Sequence, residues 1–73
     1  MYFFEDKGLI LEMLLQTLRC TRAGLDLANI RYEMLNDATE LAVLIYNNGY
    51  RKTVNITGDS GIALMRDILR GMD

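Results

Sequence analysis

Histidine, proline and tryptophan are absent from this sequence of 73 residues, and only one cysteine is present. Without histidine the chain cannot form a Ser-His-Asp triad, a Cys-His pair or a histidine-based metal site. A single cysteine forms neither an intrachain disulfide nor a zinc knuckle. The sequence therefore predicts a protein that is not an enzyme, with no catalytic, metal-binding or cofactor-binding residues.

A long apolar segment is also missing. The run Leu9–Leu18 is interrupted by Glu12 and Gln16, and it is too short to cross a bilayer. Glu5 and Asp6 stand where a secretory signal needs basic residues. We therefore expect a cytoplasmic protein that does not enter the membrane.

Positive charge is not in excess, because 8 basic and 10 acidic residues give a net charge of −2. This balance does not indicate a general nucleic-acid binder. Hydrophobic residues make up 51% of the chain, which is enough for folding. The length predicts a single small domain over residues 1–73, with a thin core that oligomerisation often supplements.

Helical periodicity marks both ends of the chain. The segment Lys7–Ala23 is predicted to be a helix that stops at Gly24, a residue that adopts the left-handed conformation without steric cost. Its apolar positions are Leu9, Ile10, Leu11, Met13, Leu14, Leu15 and Leu18. A second helix is predicted over Asp59–Met72. Its apolar stripe consists of Ile62, Met65, Ile68, Leu69 and Met72.

The pair Asn48-Gly49 predicts a β-hairpin with a two-residue turn, because both residues tolerate positive φ. This turn sets the pairing of the two strands, with Tyr46 opposite Arg51. The face predicted to meet the core carries Leu41, Val43, Val54 and Ile56. The face predicted to stay open carries Leu44, Tyr46, Arg51 and Thr53.

The segment Asn29–Glu40 fits two structures. Ile30, Tyr32 and Met34 alternate with polar residues as in a strand, whereas a helical stripe running on to Ile45 is also present. We favour the strand, since such a helix would remove the hairpin and a third strand stabilises a sheet. The prediction is an α+β fold in the order α-β-β-β-α. It has a three-stranded antiparallel meander and both helices packed on one face.

Two surfaces are candidates for binding. The apolar residues left over from the core suggest a homodimer seam at Phe3, Phe4, Leu11 and Leu15. Clustered aromatic and basic residues near the hairpin suggest a face for a protein partner. This partner face consists of Arg31, Tyr46, Tyr50, Arg51 and Lys52. The same residue types could instead stack bases and hold phosphates of nucleic acid.

The segment YNNGYRKTVNITGDSGIA, residues 46–63, resembles the C-terminal half of short uncharacterised proteins from phages and mobile elements of Gram-positive gut bacteria. The resemblance covers Leu41–Leu69 and implies an accessory role in a mobile element, without implying any site residue. The order of elements is also similar to that of some small phage-encoded anti-CRISPR proteins, which look markedly more acidic than this chain.

The hypothesis from sequence is a small interaction module of a mobile element that acts by binding another protein. The alternatives are a nucleic-acid-associated accessory protein that uses the hairpin face, and an anti-CRISPR-like inhibitor.

Overall fold

A computed structural model describes residues 6–72 as two helices and three strands. The elements are α1 (Lys7–Leu18), β1 (Leu27–Met34), β2 (Glu40–Tyr46), β3 (Arg51–Asn55) and α2 (Gly61–Met72). The strands form an antiparallel sheet in the order β1-β2-β3, and both helices pack on one of its faces. The predicted fold is confirmed, and the segment that fitted two structures is a strand followed by a turn.

Helix α1 begins as predicted but ends at Leu18, well before Ala23. At its start, Asp6 Oδ1 accepts a hydrogen bond from Leu9 N at 3.1 Å. At its end, the Thr21 hydroxyl donates to Leu18 O at 2.6 Å. Gly24 N donates in turn to Thr21 Oγ1 at 3.2 Å. These hydrogen bonds give partners to backbone groups at the end of the helix, and they turn the chain away from the helix axis.

Three residues, 47–49, form the loop between the hydrogen-bonded pair Tyr46 and Tyr50, so the predicted two-residue turn was wrong. Tyr46 N donates to Tyr50 O at 2.9 Å, Gly49 N donates to Tyr46 O at 2.9 Å, and Gly49 has φ of 86°. This is the hairpin in which a type I turn is followed by a left-handed residue. Asn48 completes it, since its Oδ1 accepts from Tyr50 N at 3.0 Å.

The longer loop shifts the register by one residue, which exchanges the two faces of β2, while β3 keeps its predicted orientation with Val54 and Ile56 toward the core. Ala42 lies opposite Val54, and Val43 lies opposite Thr53. Residues Ala42, Leu44 and Val54 therefore face the helices. Val43 was predicted to face the core and instead lies on the open face, buried between its neighbours on the two outer strands.

The hairpin between β1 and β2 has the same kind of loop, a turn followed by a residue in the left-handed conformation. Leu35 N donates to Thr39 O at 2.8 Å, and Ala38 N donates to Leu35 O at 3.0 Å. Asp37 Oδ1 accepts from Thr39 N at 3.1 Å, and hydrogen bonds from Thr39 lower the pKa of Asp37. Ala38 occupies the left-handed position with φ of 69°, where a glycine would carry no steric cost.

We expect Ala38→Gly to stabilise the protein by about 0.5–1 kcal/mol. Glycine relieves left-handed strain in the folded state of about 1–2 kcal/mol. This gain exceeds the loss of about 0.4–1 kcal/mol that arises because glycine makes the unfolded chain more flexible. Gly49→Ala, where no atom lies within 4 Å of the added Cβ, should cost about 1 kcal/mol for the same conformational reason. Urea denaturation followed by circular dichroism measures both, and a loss of stability in Ala38→Gly would contradict this loop geometry.

The core lies between the sheet and the helices. Its buried residues are Leu11, Leu15, Leu18, Leu27, Ile30, Ala42, Leu44, Ile56, Leu64 and Ile68. Helix α1 turns Leu11 and Leu15 inward, with 1% and 7% of their surfaces exposed, and leaves Leu9 and Met13 in solvent. The structure thus places Leu11 and Leu15 of the predicted seam in the core of the chain itself, while Phe3 and Phe4 lie outside the described residues.

Candidate functional site

The predicted partner face divides between the two sides of the sheet. Arg31 lies opposite Val43 and Arg51 lies opposite Ile45, which places both arginines on the open face. Lys52 lies opposite Leu44, and Tyr46 packs against the core, so both belong to the side that carries the helices. The five residues therefore do not form one surface, because the consecutive strand residues Arg51 and Lys52 point to opposite faces and the shifted register moves Tyr46 to the core side.

Tyr46, Tyr50 and Lys52 stay together and line a cavity of about 430 Å³ at the tip of the second hairpin. The two tyrosine ring centroids are 5.8 Å apart, with the ring planes tilted by 45°. The other lining residues are Asp26, Asn47, Asn48 and Met72. We call this cavity the tyrosine pocket.

A second and more apolar depression lies between the end of α1 and one side of α2, with a volume of about 610 Å³. We call it the helix groove. Its apolar lining consists of Leu18, Ala23, Ile62, Met65, Leu69 and Met72. Arg66 and Arg70 line the same groove from α2. Met72 is shared by the helix groove and the tyrosine pocket.

Helix α2 has two apolar sides, and only one of them packs against the sheet. Leu64 and Ile68 are fully buried in the core. Ile62, Met65 and Leu69 expose 70%, 36% and 49% of their surfaces. Most of the stripe predicted from the sequence therefore lines the groove, and the buried Leu64 was missing from it. The sequence carried one signal of this groove, because α2 has more apolar residues than one face of a helix can hold.

A polar cluster joins four parts of the chain at the carboxylate of Glu40. Lys7 Nζ donates to Glu40 Oε1 at 2.7 Å, and Tyr32 OH donates to Oε2 at 2.5 Å. Gly58 N also donates to Oε1, at 3.2 Å. These hydrogen bonds, that of Lys7 foremost, hold the pKa of Glu40 at about 2 instead of its usual 4.5. The bond to Glu40 raises the pKa of Tyr32.

Two further carboxyl groups lie next to this cluster. A hydrogen bond with Asp67 raises the pKa of Asp59, and desolvation acts in the same direction. Asp59 Oδ2 is buried without a hydrogen-bond partner. Within residues 6–72, no group of three or more cysteine, aspartate or glutamate side chains is arranged to hold a metal ion. Because Glu40 accepts from three donors and stays ionised, the cluster joins elements of the fold and offers no free base.

The role of Glu40 predicts a defined dependence of stability on pH. Its pKa is lower in the folded state than the usual 4.5, so its contribution is complete above about pH 5 and is lost as the pH falls toward 2. We expect Glu40→Gln to be less stable than the wild type at neutral pH. The difference in urea midpoint should shrink below about pH 5 and vanish near pH 2.

The raised pKa of Asp59, to which Asp67 and desolvation contribute most and the Glu40 charge least, acts in the opposite direction in both proteins, so the comparison is made between variant and wild type at each pH. Glu33→Gln is a control, since it removes a carboxylate that has no hydrogen-bond or ion-pair partner among the described residues. A difference between Glu40→Gln and the wild type that stays constant from neutral pH to pH 2 would show that the Glu40 carboxylate is not held as described.

No family model matches the chain, and comparison with curated proteins and with solved structures finds no match either. Neither helix is long and apolar enough to cross a membrane, as judged over residues 6–72. Evidence on function therefore comes from the surfaces of the chain itself.

Proposed function

We propose that the protein is a small protein-binding module that holds an amphipathic helical segment of its partner in the helix groove. The observation that carries this proposal is the exposure of Ile62, Met65 and Leu69 along one side of α2. These residues recur at three- and four-residue spacing, so they form one continuous apolar strip. Contiguous apolar surface of this kind marks interaction sites on small soluble domains.

The shape of the groove favours a helix as the occupant. From Ile62 to Met72 the axis of α2 rises by about 15 Å, at about 1.5 Å per residue. A partner helix of two to three turns matches that length, and helix-in-groove recognition uses apolar anchors at the same spacing. Thr21 is the one uncharged polar residue among the described residues of the lining, so few of these residues can orient a small polar ligand.

Charge favours an acidic partner segment. Arg66 and Arg70 lie one helical turn apart on α2 and line the groove. The one ion pair among residues 6–72 joins Lys7 to Glu40, so neither arginine is paired with a carboxylate of these residues. Carboxylates flanking the apolar residues of a partner helix would pair with these two guanidinium groups. The mobile-element role implied by the resemblance of Leu41–Leu69 is compatible with such a module.

A peptide-display selection tests the proposal and does not require the natural partner to be identified. Libraries of amphipathic helices with acidic, neutral or basic polar faces are selected on the wild type at low salt. We expect the acidic library to be enriched, and the selected peptides to lose at least tenfold affinity for Leu69→Glu. Met13→Glu is the matched control, because Met13 is 64% exposed on α1 and does not line the groove.

Three results would overturn the proposal. One is equal binding of the selected peptides to Leu69→Glu and to the wild type. Another is a set of amide chemical-shift changes that lies outside the groove. The third is a wild-type dimer in light scattering that Leu69→Glu converts to a folded monomer, since a second copy would then be the occupant. Enrichment of the neutral or basic library would overturn the assignment of Arg66 and Arg70.

A further inference from the structure

We propose that the tyrosine pocket binds a small aromatic anion, meaning a planar ring that carries a carboxylate or phosphate group. This site is separate from the helix groove apart from the shared wall at Met72. Its volume of about 430 Å³ is that of a small-molecule site, for which about 300–1,000 Å³ is typical.

The aromatic wall of the tyrosine pocket consists of one ring that packs against the core and one ring that is exposed to solvent. Tyr46 packs against the core, whereas Tyr50 is 59% exposed and lies beside it at a centroid distance of 5.8 Å. A flat ligand ring can stack or pack edge-to-face on such a pair. Burial of the exposed Tyr50 ring on binding would contribute favourably, because a tyrosine side chain buries a large area with few rotatable bonds.

Lys52 supplies the charge that selects an anion. It lies opposite Leu44 on the side of the sheet that carries the helices and is only partly exposed. Lys7–Glu40 is the one ion pair among residues 6–72, so the Lys52 ammonium has no carboxylate within 4.0 Å there. A partly desolvated, unpaired ammonium is stabilised by an anionic group that enters its cavity.

The frame of the pocket is held by backbone contacts. Asn47 N donates to Asp26 O at 2.8 Å, which ties the hairpin tip to the residue that precedes β1. Asn48 accepts from Tyr50 N through Oδ1, which leaves its amide N–H groups as donors. Asp26 is exposed and is the one acidic residue among the described residues of the lining, so it disfavours a doubly charged phosphate more than a singly charged carboxylate. Walls fixed before binding reduce the entropic cost of binding a ligand.

The test is a titration of the full chain monitored by amide chemical shifts. Adenosine monophosphate and indole-3-acetate represent the phosphate and carboxylate forms of the ligand. Adenosine lacks the anion, and inorganic phosphate lacks the ring. We expect at least one of the two aromatic anions to bind with shifts centred on residues 46–52, at least tenfold more tightly than either control compound. The tighter of the two identifies the anionic group.

Lys52→Gln should weaken that binding at least tenfold, whereas Arg51→Gln should leave it unchanged. The two positions are adjacent in sequence, but Arg51 lies on the open face. An unchanged thermal midpoint in both variants separates loss of the site from loss of the fold. The proposal is overturned if neither aromatic anion binds, if inorganic phosphate binds as tightly as they do, or if Lys52→Gln binds like the wild type.

Discussion

Leu11→Ala is expected to lower the free energy of unfolding by about 2–5 kcal/mol, the cost of removing a large core side chain. Leu11 is 1% exposed and belongs to the cluster between α1 and the sheet. A chain of this length has a total stability of roughly 4–10 kcal/mol, so the variant should lose about half of it. The loss is a large fraction of the total because a domain of this size has a small core.

Urea denaturation at several protein concentrations measures this effect and distinguishes a core residue from a dimer seam. Met13→Ala is the control two residues away, with an expected change within about 0.5 kcal/mol because Met13 is exposed. If Leu11→Ala stayed as stable as Met13→Ala, or if it merely converted a dimer to a folded monomer, the packing of α1 described above would be wrong.

Gly24→Ala is expected to destabilise the protein by about 3 kcal/mol or more, since a Cβ at this buried position overlaps with backbone. The added Cβ would lie 2.2 Å from Leu18 O and 2.7 Å from Leu18 C. Neither atom can move without disturbing the end of α1 and its hydrogen bond to Thr21. Gly24 was predicted to stop the helix in the left-handed conformation, but it is not among the residues with positive φ. Glycine is required at this position because the backbone of Leu18 lies too close for a Cβ atom.

Gly8→Ala in α1 is the matched control for this variant. Its Cβ would lie 3.3 Å from Asp6 Oδ1, the atom that accepts from Leu9 N at the start of the helix and that would move by a few tenths of an ångström. Alanine is favoured over glycine within a helix by about 1 kcal/mol, which offsets a weakened cap, so Gly8→Ala should change stability by less than about 1 kcal/mol. Thermal denaturation of the two variants gives the comparison. A Gly24→Ala protein as stable as Gly8→Ala would contradict the close contact between Gly24 and Leu18.

The order of elements was predictable because each has its own local signal. Asp6 provides a cap, Ile30, Tyr32 and Met34 alternate, and Asn48-Gly49 marks a turn. The register was not predictable from the same turn, since glycine with positive φ serves both two-residue and three-residue loops. One residue of difference in loop length decided which side of β2 meets the core, whereas Val54 and Ile56 of β3 face it as predicted.

The inward side of α1 was equally undetermined. Leucines, Ile10 and Met13 occupy most of its circumference, so several stripes of equal hydrophobicity are present. The position of the sheet, fixed by contacts distant in sequence, selects Leu11, Leu15 and Leu18. The helix groove and the Glu40 cluster escaped prediction for the same reason, because their residues meet only after both helices have packed against the sheet.

The shared position of Met72 means that the two cavities cannot evolve independently. Its side chain forms part of the wall of both, so a substitution that reshapes one also reshapes the other. When both cavities are occupied, any preference of one occupant for a particular Met72 rotamer changes the affinity of the other. Thermodynamic linkage makes that change the same factor in either direction.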